Sequence, residues 1–136
     1  MSLEDLMGTV VTLRPFVPAK DFGESRRFYE VLGFRVTPLG DKIARVELSN
    51  AAGAKSFLLQ DFYLKDLAEN LMLQLLVQDL DGWWRHIVSL NLDRQFGVGA
   101  PRPPEEQSWG QRVAYLWDPA GVLWHVAAAN AKPASE

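Results

Sequence analysis

Residues 17–34 read VPAKDFGESRRFYEVLGF, and this stretch decides the fold. Its first residues suit the end of a strand, and Asp21 with Glu24 three residues later fits the capping box of a helix start. Phe28 begins an apolar stripe that recurs four residues on, as on one face of a helix. Gly33 can end that helix, because glycine adopts positive φ without a steric cost. The stretch therefore predicts a strand, a capped helix and the start of a second strand.

The same pattern returns at residues 77–90, which read VQDLDGWWRHIVSL. Asp21 matches Asp79 and Arg27 matches Arg85, both at an offset of 58 residues. The segments downstream also correspond, since a strand-like run ends at a glycine-containing turn in each. A period of this length is too long for a solenoid repeat and indicates a duplicated unit.

Two copies of a strand–helix–strand–strand–strand unit account for nearly the whole chain. We predict a single α+β domain over residues 1–136, built from two tandem βαβββ modules at about 8–62 and 70–128. Eight strands are expected, over residues 9–17, 34–39, 43–48, 56–62, 71–77, 94–98, 111–117 and 122–127. The remaining segments are expected to be a loose leader at 1–7, a polar connection at 63–70, a loop at 99–108 and a frayed tail at 129–136.

The clearest strand pattern lies at residues 71–77, where leucines and a valine alternate with other residues. We expect the face of Leu71, Leu73 and Leu75 to lie under a helix. The opposite face, with Met72 and Gln74, would then line a concave side. Curved, duplicated sheets of this kind enclose a cleft, and a small ligand would bind there.

Composition excludes several classes of function. The net charge of −3 argues against nucleic acid as a partner, because nucleic-acid binding requires a basic face. The chain has no cysteine, so thiolate metal sites and cysteine nucleophiles are excluded. The short acidic start is not a signal peptide, and no apolar run approaches the length that spans a membrane. We expect a cytoplasmic protein without a membrane partner.

At these residues the chain resembles the glyoxalase / bleomycin-resistance / extradiol-dioxygenase superfamily, also called vicinal oxygen chelate. It is most similar to the bleomycin-resistance proteins. The first signature lies at Pro18–Phe22, Phe28–Glu30 and Leu32–Phe34, and the second at Trp109–Gly110 and Asp118–His125. The resemblance spans residues 9–128 and implies paired βαβββ modules around a cleft. It says less about chemistry, because members of this superfamily chelate, isomerise, oxidise or only bind.

The resemblance also implies where a metal would be held. Enzymes of the superfamily take His or Glu ligands from the first, fourth, fifth and eighth strands, and this chain has Arg14, Gln60, Met72 and His125 at about those positions. Arg14 would repel a cation and Met72 is a poor ligand for a hard or borderline divalent ion. We therefore expect no metal and no other cofactor. His86, the other histidine, falls on the second helix and away from the cleft.

Trp109 follows a polar, glutamate-containing loop at the mouth of a strand. By resemblance, a tryptophan here stacks on a planar cationic antibiotic, and Glu105 and Glu106 would add attraction. Each of these features also has a structural explanation: His125 can be a hydrogen-bonded cleft residue, and a glutamate pair is commonly a solvated loop. The candidate ligand-binding residues are Arg14, Phe16, Gln60, Phe62, Met72, Gln74, Trp109, Arg112 and His125.

Two classes of function remain open at this point. The first is a metal-independent module that sequesters a small amphipathic or aromatic ligand, such as a bleomycin-like antibiotic. Residues 35–39 are neither acidic nor aromatic, unlike the corresponding segment of bleomycin-binding relatives. This difference weakens the case for bleomycin itself as the ligand. The alternative is a lyase, isomerase or dioxygenase with an atypical site around Gln60, Gln74 and His125. We also expect a homodimer, with Leu116, Trp117 and Trp124 as candidate contacts between the two copies.

Overall fold

A computed structural model describes residues 1–129 of the chain. The helices are α1 (Leu3–Met7), α2 (Phe22–Leu32), α3 (Lys65–Asn70), α4 (Leu80–Leu90) and α5 (Leu92–Phe96). The strands are β1 (Phe16–Pro18), β2 (Arg35–Pro38), β3 (Ile43–Asn50), β4 (Gly53–Gln60), β5 (Met72–Val77), β6 (Arg102–Glu106), β7 (Arg112–Trp117) and β8 (Leu123–Ala128). The frayed tail expected at the C-terminus lies, beyond its first residue, outside the described residues.

The strands form two four-stranded sheets with the same topology. Sheet A has the order β1-β4-β3-β2 and sheet B has the order β5-β8-β7-β6. In each sheet the first strand of the module lies parallel to the last, and the other pairs are antiparallel. The α+β fold with two tandem modules is therefore confirmed.

Both long helices begin at the predicted aspartate, and α2 shows the Asp21 half of the predicted capping box. The Asp21 carboxylate accepts from the Glu24 amide at the start of α2, and Asp79 accepts from the Gly82 amide at the start of α4. Helix α2 ends at Gly33, whose φ of 122° is open to glycine and costly for other residues. The two copies of the motif therefore begin with the same local chemistry.

The buried core joins the two modules. Tyr29 of α2 donates to a carboxylate oxygen of Asp118 at 2.6 Å, and Trp124 of β8 donates to the Tyr29 hydroxyl at 3.0 Å. The rings of Phe34 and Phe57 pack edge-on against Tyr29. Burial of these aromatic rings supplies much of the apolar surface that stabilises the fold.

The two sides of β5 separate into a core-facing and an exposed one as predicted, whereas a helix over the core-facing side stays a prediction. Leu73, Leu75 and Val77 pack towards the core, whereas Met72 and Leu76 are exposed on the other side. His86 lies on α4, where its Nε2 atom is 2.8 Å from the Leu32 carbonyl oxygen at the end of α2. None of the helices within residues 1–129 is long and apolar enough to cross a membrane.

Several expected segments differ from the structure. Residues 94–98 are not a strand, because α5 occupies this region and ends at Gly97 with φ 66°. Residues 99–108 are not only a loop, since they contain β6. Two prolines are tolerated in β6 because it is an edge strand with a register shift between Arg102 and Glu105. Short helices also replace the leader and the polar connection, and α1 carries a capping box between Ser2 and Asp5.

The first strand is much shorter than predicted. Only Phe16–Pro18 pairs with β4 in the strand ladder, and residues 10–15 form an irregular arm that contacts β4 through the Pro15 carbonyl and the Arg14 guanidinium. Val11 and Leu13 of this arm are 96% and 92% exposed. Leu116 and Trp124, expected at a contact between copies, are instead buried within one chain. Their packing against the helix side of sheet B makes that expectation wrong.

Candidate ligand-binding site

Each sheet has one face covered by the helices and one open face. In β7 and β8, Leu116, Trp124 and Val126 face the core, so the alternate residues face the open side. The register across sheet B then places one residue from each strand in a continuous row. This central row consists of Gln74, His125, Tyr115 and Arg102.

His125 stands in the middle of the central row. Its ring meets the ring of Tyr115 edge to face, with centroids 4.8 Å apart. Its Nε2 atom is buried and has no hydrogen-bond partner among the described residues. Partial burial lowers the pKa of His125, which favours the neutral imidazole near pH 7. A neutral imidazole can donate at one ring nitrogen and accept at the other.

Apolar residues flank the central row on both sides. One neighbouring row contains Met72, Leu123 and Trp117. The other contains the exposed Leu76 beside Ala127 and Val113, which are buried within the chain. The Arg102 guanidinium lies 5.4 Å from the centre of the Trp117 ring. Hydrogen-bonding groups between apolar strips are typical of surfaces that bind small organic molecules.

Two hollows adjoin the open face of sheet B. A shallow one of about 180 Å³ is lined by Met72, Leu73, Gln74 and His125. A wider groove of about 530 Å³ begins at Arg102 and Trp117 and continues to Lys20 and Tyr63. The Lys20 ammonium lies 5.6 Å from the Tyr63 ring centre, so both ends of this groove carry a cation over an aromatic ring.

The open face of sheet A has a different chemistry. Its central row contains Phe16, Leu58, Arg45 and Thr37. In the neighbouring row, Arg14 donates to the hydroxyl of Ser56 at 2.9 Å, and Glu47 lies beside Ser56 and Arg35. The nearest Arg45 and Glu47 atoms are 3.7 Å apart, which is an ion pair without a hydrogen bond. This face is therefore dominated by arginine.

The residues present do not fit a catalytic metal. Within residues 1–129, no three histidine or carboxylate side chains come together in a way that could hold an ion. The guanidinium of Arg14 is occupied with Ser56, and Met72 is an exposed thioether. An imidazole and an amide alone do not supply the three or more hard donors that such ions require.

The predicted site residues fall into three groups. Met72, Gln74 and His125 share the open face of sheet B, while Arg14, Phe16 and Gln60 lie on that of sheet A. Phe62 follows β4 and is exposed. Trp109 is 60% exposed in the turn between β6 and β7, where its indole donates to Gln111.

Arg112 is the residue that does not lie where we expected. It shares the core-facing side of β7 with Ala114 and Leu116, and it pairs with Asp81 of α4 at 3.0 Å. It is therefore not on the floor of the open face. The attraction of Arg112 lowers the pKa of the exposed Asp81 carboxyl.

Several residues of the open faces were not among the predicted site residues, including Arg45, Arg102, Tyr115 and Trp117. The place of Arg102 on a sheet could not be predicted, because the segment that forms β6 was expected to be a loop. Tyr115 and Trp117 could have been found, since they alternate with buried residues of a predicted strand. Arg45 could have been found in the same way, since it lies between the buried Ala44 and Val46 of a predicted strand.

Asp118 lies beneath the wider groove and is 1% exposed. Burial raises the pKa of Asp118 to about 6, although hydrogen bonds from Tyr29 and from the backbone amides of residues 120–122 oppose this rise. Burial, with the nearby carboxylate, also holds the pKa of Tyr29 well above its usual value. Because all these contacts lie within the chain, we assign Asp118 a structural role.

Comparisons with known proteins were made at the levels of sequence and structure. No protein-family model matches the chain, and no curated protein matches its sequence. Solved structures do match over most of its length. A bleomycin-binding protein in complex with bleomycin is 24% identical, with a TM-score of 0.70 over 89% of this chain and 100% of the other.

Two further structures support the same fold. The bleomycin-binding protein of Streptomyces verticillus, complexed with copper(II)-bleomycin, is 22% identical, with a TM-score of 0.71 over 90% of this chain and all of the other. A glyoxalase/bleomycin resistance protein/dioxygenase from Nocardioides is 18% identical, with a TM-score of 0.65 over 97% of each chain. The chain therefore has the fold of the glyoxalase and bleomycin-resistance proteins.

Proposed function

We propose that this protein binds and sequesters a small, amphipathic, aromatic molecule without a metal. The observation that carries the proposal is the central row of sheet B, in which His125 has a buried nitrogen without a partner between two apolar strips. A bound ligand would satisfy that nitrogen and cover the exposed Met72 and Leu76 side chains of the strips. The bleomycin-binding proteins of the same fold support a bleomycin-like ligand as the first compound to test.

The proposed contacts come from both open faces. Gln74 and His125 would orient polar groups of the ligand, while Met72 would cover its apolar part. Arg14, Phe16 and Gln60 would contribute from sheet A. Phe62 and Trp109 would contact the ligand from the segments that border the sheets.

The proposal is tested by tryptophan fluorescence quenching against bleomycin and a panel of planar compounds, with and without EDTA. We expect saturable binding that the chelator does not change. The variant His125→Ala should alter the preference among compounds without abolishing binding. Loss of all binding in EDTA would contradict metal independence. Conversion of a bound compound, seen by mass spectrometry, would support the lyase, isomerase or dioxygenase alternative.

We further propose that the binding form is a cytoplasmic homodimer. Exposed apolar side chains occur on the arm and on the open faces, among them Val11, Leu13, Phe16, Met72 and Leu76. The outer edge of β4 pairs with β1 only from Leu58 to Gln60. Uncovered apolar surface and a free strand edge both favour association with a second copy.

A further inference from the structure

A third hollow, of about 200 Å³, lies between the core-facing sides of the two sheets, and we call it the inter-sheet hollow. Sheet A contributes Leu48 and Lys55, which are opposed in the register of β3 and β4. Sheet B contributes Leu73 and Trp124, which are opposed in the register of β5 and β8. The hollow is therefore a single space to which both modules supply side chains.

Three aromatic rings form the most buried part of the inter-sheet hollow. Phe34, Phe57 and Trp124 all line it and are at most 6% exposed. Their ring centroids lie 5.7 to 6.1 Å apart, and the rings are tilted towards one another rather than stacked. Aromatic rings attract one another at such distances and angles. One more ring placed in the hollow would extend this cluster.

The walls of the hollow are apolar and only partly covered. Leu48, Leu73 and Leu75 line it and pack against the core without being buried completely. Covering apolar surface is favourable roughly in proportion to its area. A closed apolar cavity of about 150 Å³ stays free of water and binds benzene. A hollow of about 200 Å³ therefore suits one or two fused rings.

The polar groups at the rim do not require a charged ligand. The Ser56 hydroxyl accepts from Arg14 Nε at 2.9 Å. Lys55 is the one charged residue among the described residues that line the hollow, and its ammonium donates to Asn50 Oδ1 at 2.8 Å and to the Gly53 carbonyl at 3.1 Å. Since these groups have partners within the chain, a charge in the hollow would lose its water without a compensating partner.

We infer that the inter-sheet hollow binds a neutral aromatic molecule of one or two fused rings. The rings contact Phe57, Trp124 and the leucine walls. A hydroxyl group on the ring would face Gln74 at the rim, because an amide side chain can donate and accept. This site goes beyond the proposed function, since it lies on the core-facing sides of the sheets and does not include His125.

The size of the site is tested with phenol, 2-naphthol and 2-anthrol, which are neutral at pH 7 and have one, two and three rings. Affinities are measured by isothermal titration calorimetry on the full chain. We expect 2-naphthol to bind roughly 10-fold more tightly than phenol, because it covers more apolar surface. We expect 2-anthrol to bind more weakly than 2-naphthol, because its third ring exceeds the space. The charged 2-naphthoate should bind roughly 10-fold more weakly than 2-naphthol.

Variants that fill the hollow test its position. Leu75→Phe and Leu48→Phe enlarge a wall from sheet B and from sheet A, and each should reduce the affinity for 2-naphthol roughly 10-fold, because the added ring takes the same space. Leu67→Phe is the matched control, since Leu67 is exposed on α3. Circular dichroism checks that each variant is folded.

Nuclear Overhauser effects on the unmodified chain give a second measurement that does not depend on the variants. We expect contacts from 2-naphthol to the methyl groups of Leu48 and Leu75. Contacts to the Met72 methyl group without contacts to Leu75 would place the molecule on the open face of sheet B and overturn the inference.

The remaining outcomes separate the inference from the proposed function. Equal effects of Leu75→Phe, Leu48→Phe and Leu67→Phe on 2-naphthol binding would overturn the inference and leave the proposed function standing. Binding of 2-naphthol by Leu13→Asp but not by the unmodified chain would show that a second copy covers the hollow, which also overturns the inference. Binding of 2-naphthol in the hollow, with no compound bound at the open faces, would support the inference and contradict the proposed function.

Discussion

At the scale of single residues, the Tyr29–Asp118 pair shows how burial decides chemistry. A carboxylate removed from water is costly unless hydrogen bonds compensate it. Asp118 accepts bonds from Tyr29 and from the backbone amides of Ala120 and Val122, yet its pKa is still raised to about 6. These hydrogen bonds therefore offset only part of the cost of burying the carboxylate. As a result, protonation of Asp118 is linked to folding.

This linkage predicts how stability depends on pH. The folded protein holds the Asp118 proton more tightly than the unfolded chain, whose carboxyl has its ordinary pKa of 3.8. The stabilisation is therefore fully present below about pH 4 and is lost as pH rises to about 6. A shift of two units corresponds to about 3 kcal/mol, because one unit is about 1.4 kcal/mol.

Urea unfolding of the wild type and of Asp118→Asn between pH 4 and pH 7 measures this contribution. The other carboxyl groups titrate in both proteins, so the difference between the two curves isolates Asp118. We expect the stability of the wild type relative to the variant to decrease by about 3 kcal/mol across this range. A difference that stays constant with pH would contradict the raised pKa.

Trp109 is the residue on which the stacking hypothesis depends. Its ring is exposed, and its indole N–H donates to the Gln111 side chain. Stacking of one exposed aromatic residue with a cationic ligand contributes about 0.5–2 kcal/mol. Trp109→Ala should therefore weaken binding of bleomycin by about 2- to 30-fold without unfolding the protein. An unchanged titration would remove Trp109 from the site.

At the scale of secondary structure elements, the amphipathic helices and paired strands carry the fold. Phe28 of α2 is completely buried between Tyr29 and Phe96, whereas Leu75 of β5 is only partly buried. Phe28→Ala should reduce the free energy of unfolding by about 3–5 kcal/mol, because it leaves a cavity. Leu75→Ala should cost about 2 kcal/mol, at the low end for such truncations, because the site is partly open.

Thermal unfolding followed by circular dichroism checks both values. The exposed Leu76 is the matched control, since it neighbours Leu75 on the opposite face of β5. Leu76→Ala should leave the melting temperature nearly unchanged. Shifts of no more than a degree for Phe28→Ala or Leu75→Ala would show that the helix-facing side of the sheet is wrongly assigned.

The elements that the sequence predicted well are those with a local signal. The sequences of α2 and α4 contain capping residues and a helical period of apolar residues. The sequence of β5 alternates apolar residues with others. The short β1 and the proline-containing β6 have no such signal, because only pairing with β4 and β7 defines them. The arginine-rich face of sheet A could not be predicted for a related reason. Its rows combine residues from four strands, and their register is set by tertiary packing.

At the scale of the whole molecule, one chain leaves its proposed binding surfaces uncovered. The arm exposes Val11 and Leu13, and the open faces expose Met72 and Leu76 among polar groups. An apolar surface of this kind on a protein of 15.3 kDa favours association. The proposed dimer and the proposed ligand site would then depend on the same surfaces.

Analytical ultracentrifugation at micromolar concentration tests this dependence. We expect the full chain to sediment at twice 15.3 kDa. Leu13→Asp, alone or with Val11→Asp, should shift the protein towards the monomer, because a charge would be buried in the contact. Val88→Asp is the control, since Val88 is also an exposed apolar residue but lies on α4.

If dimer and site share their surfaces, the arm variants should also lose affinity for the ligand, although the arm lies outside both sheets. Raising the protein concentration should restore the dimer and the affinity together, because association is governed by mass action. A single monomer peak for the unmodified chain would contradict the dimer. Full ligand affinity in a monomeric Leu13→Asp variant would show instead that each chain binds on its own, and that its open faces serve the ligand alone.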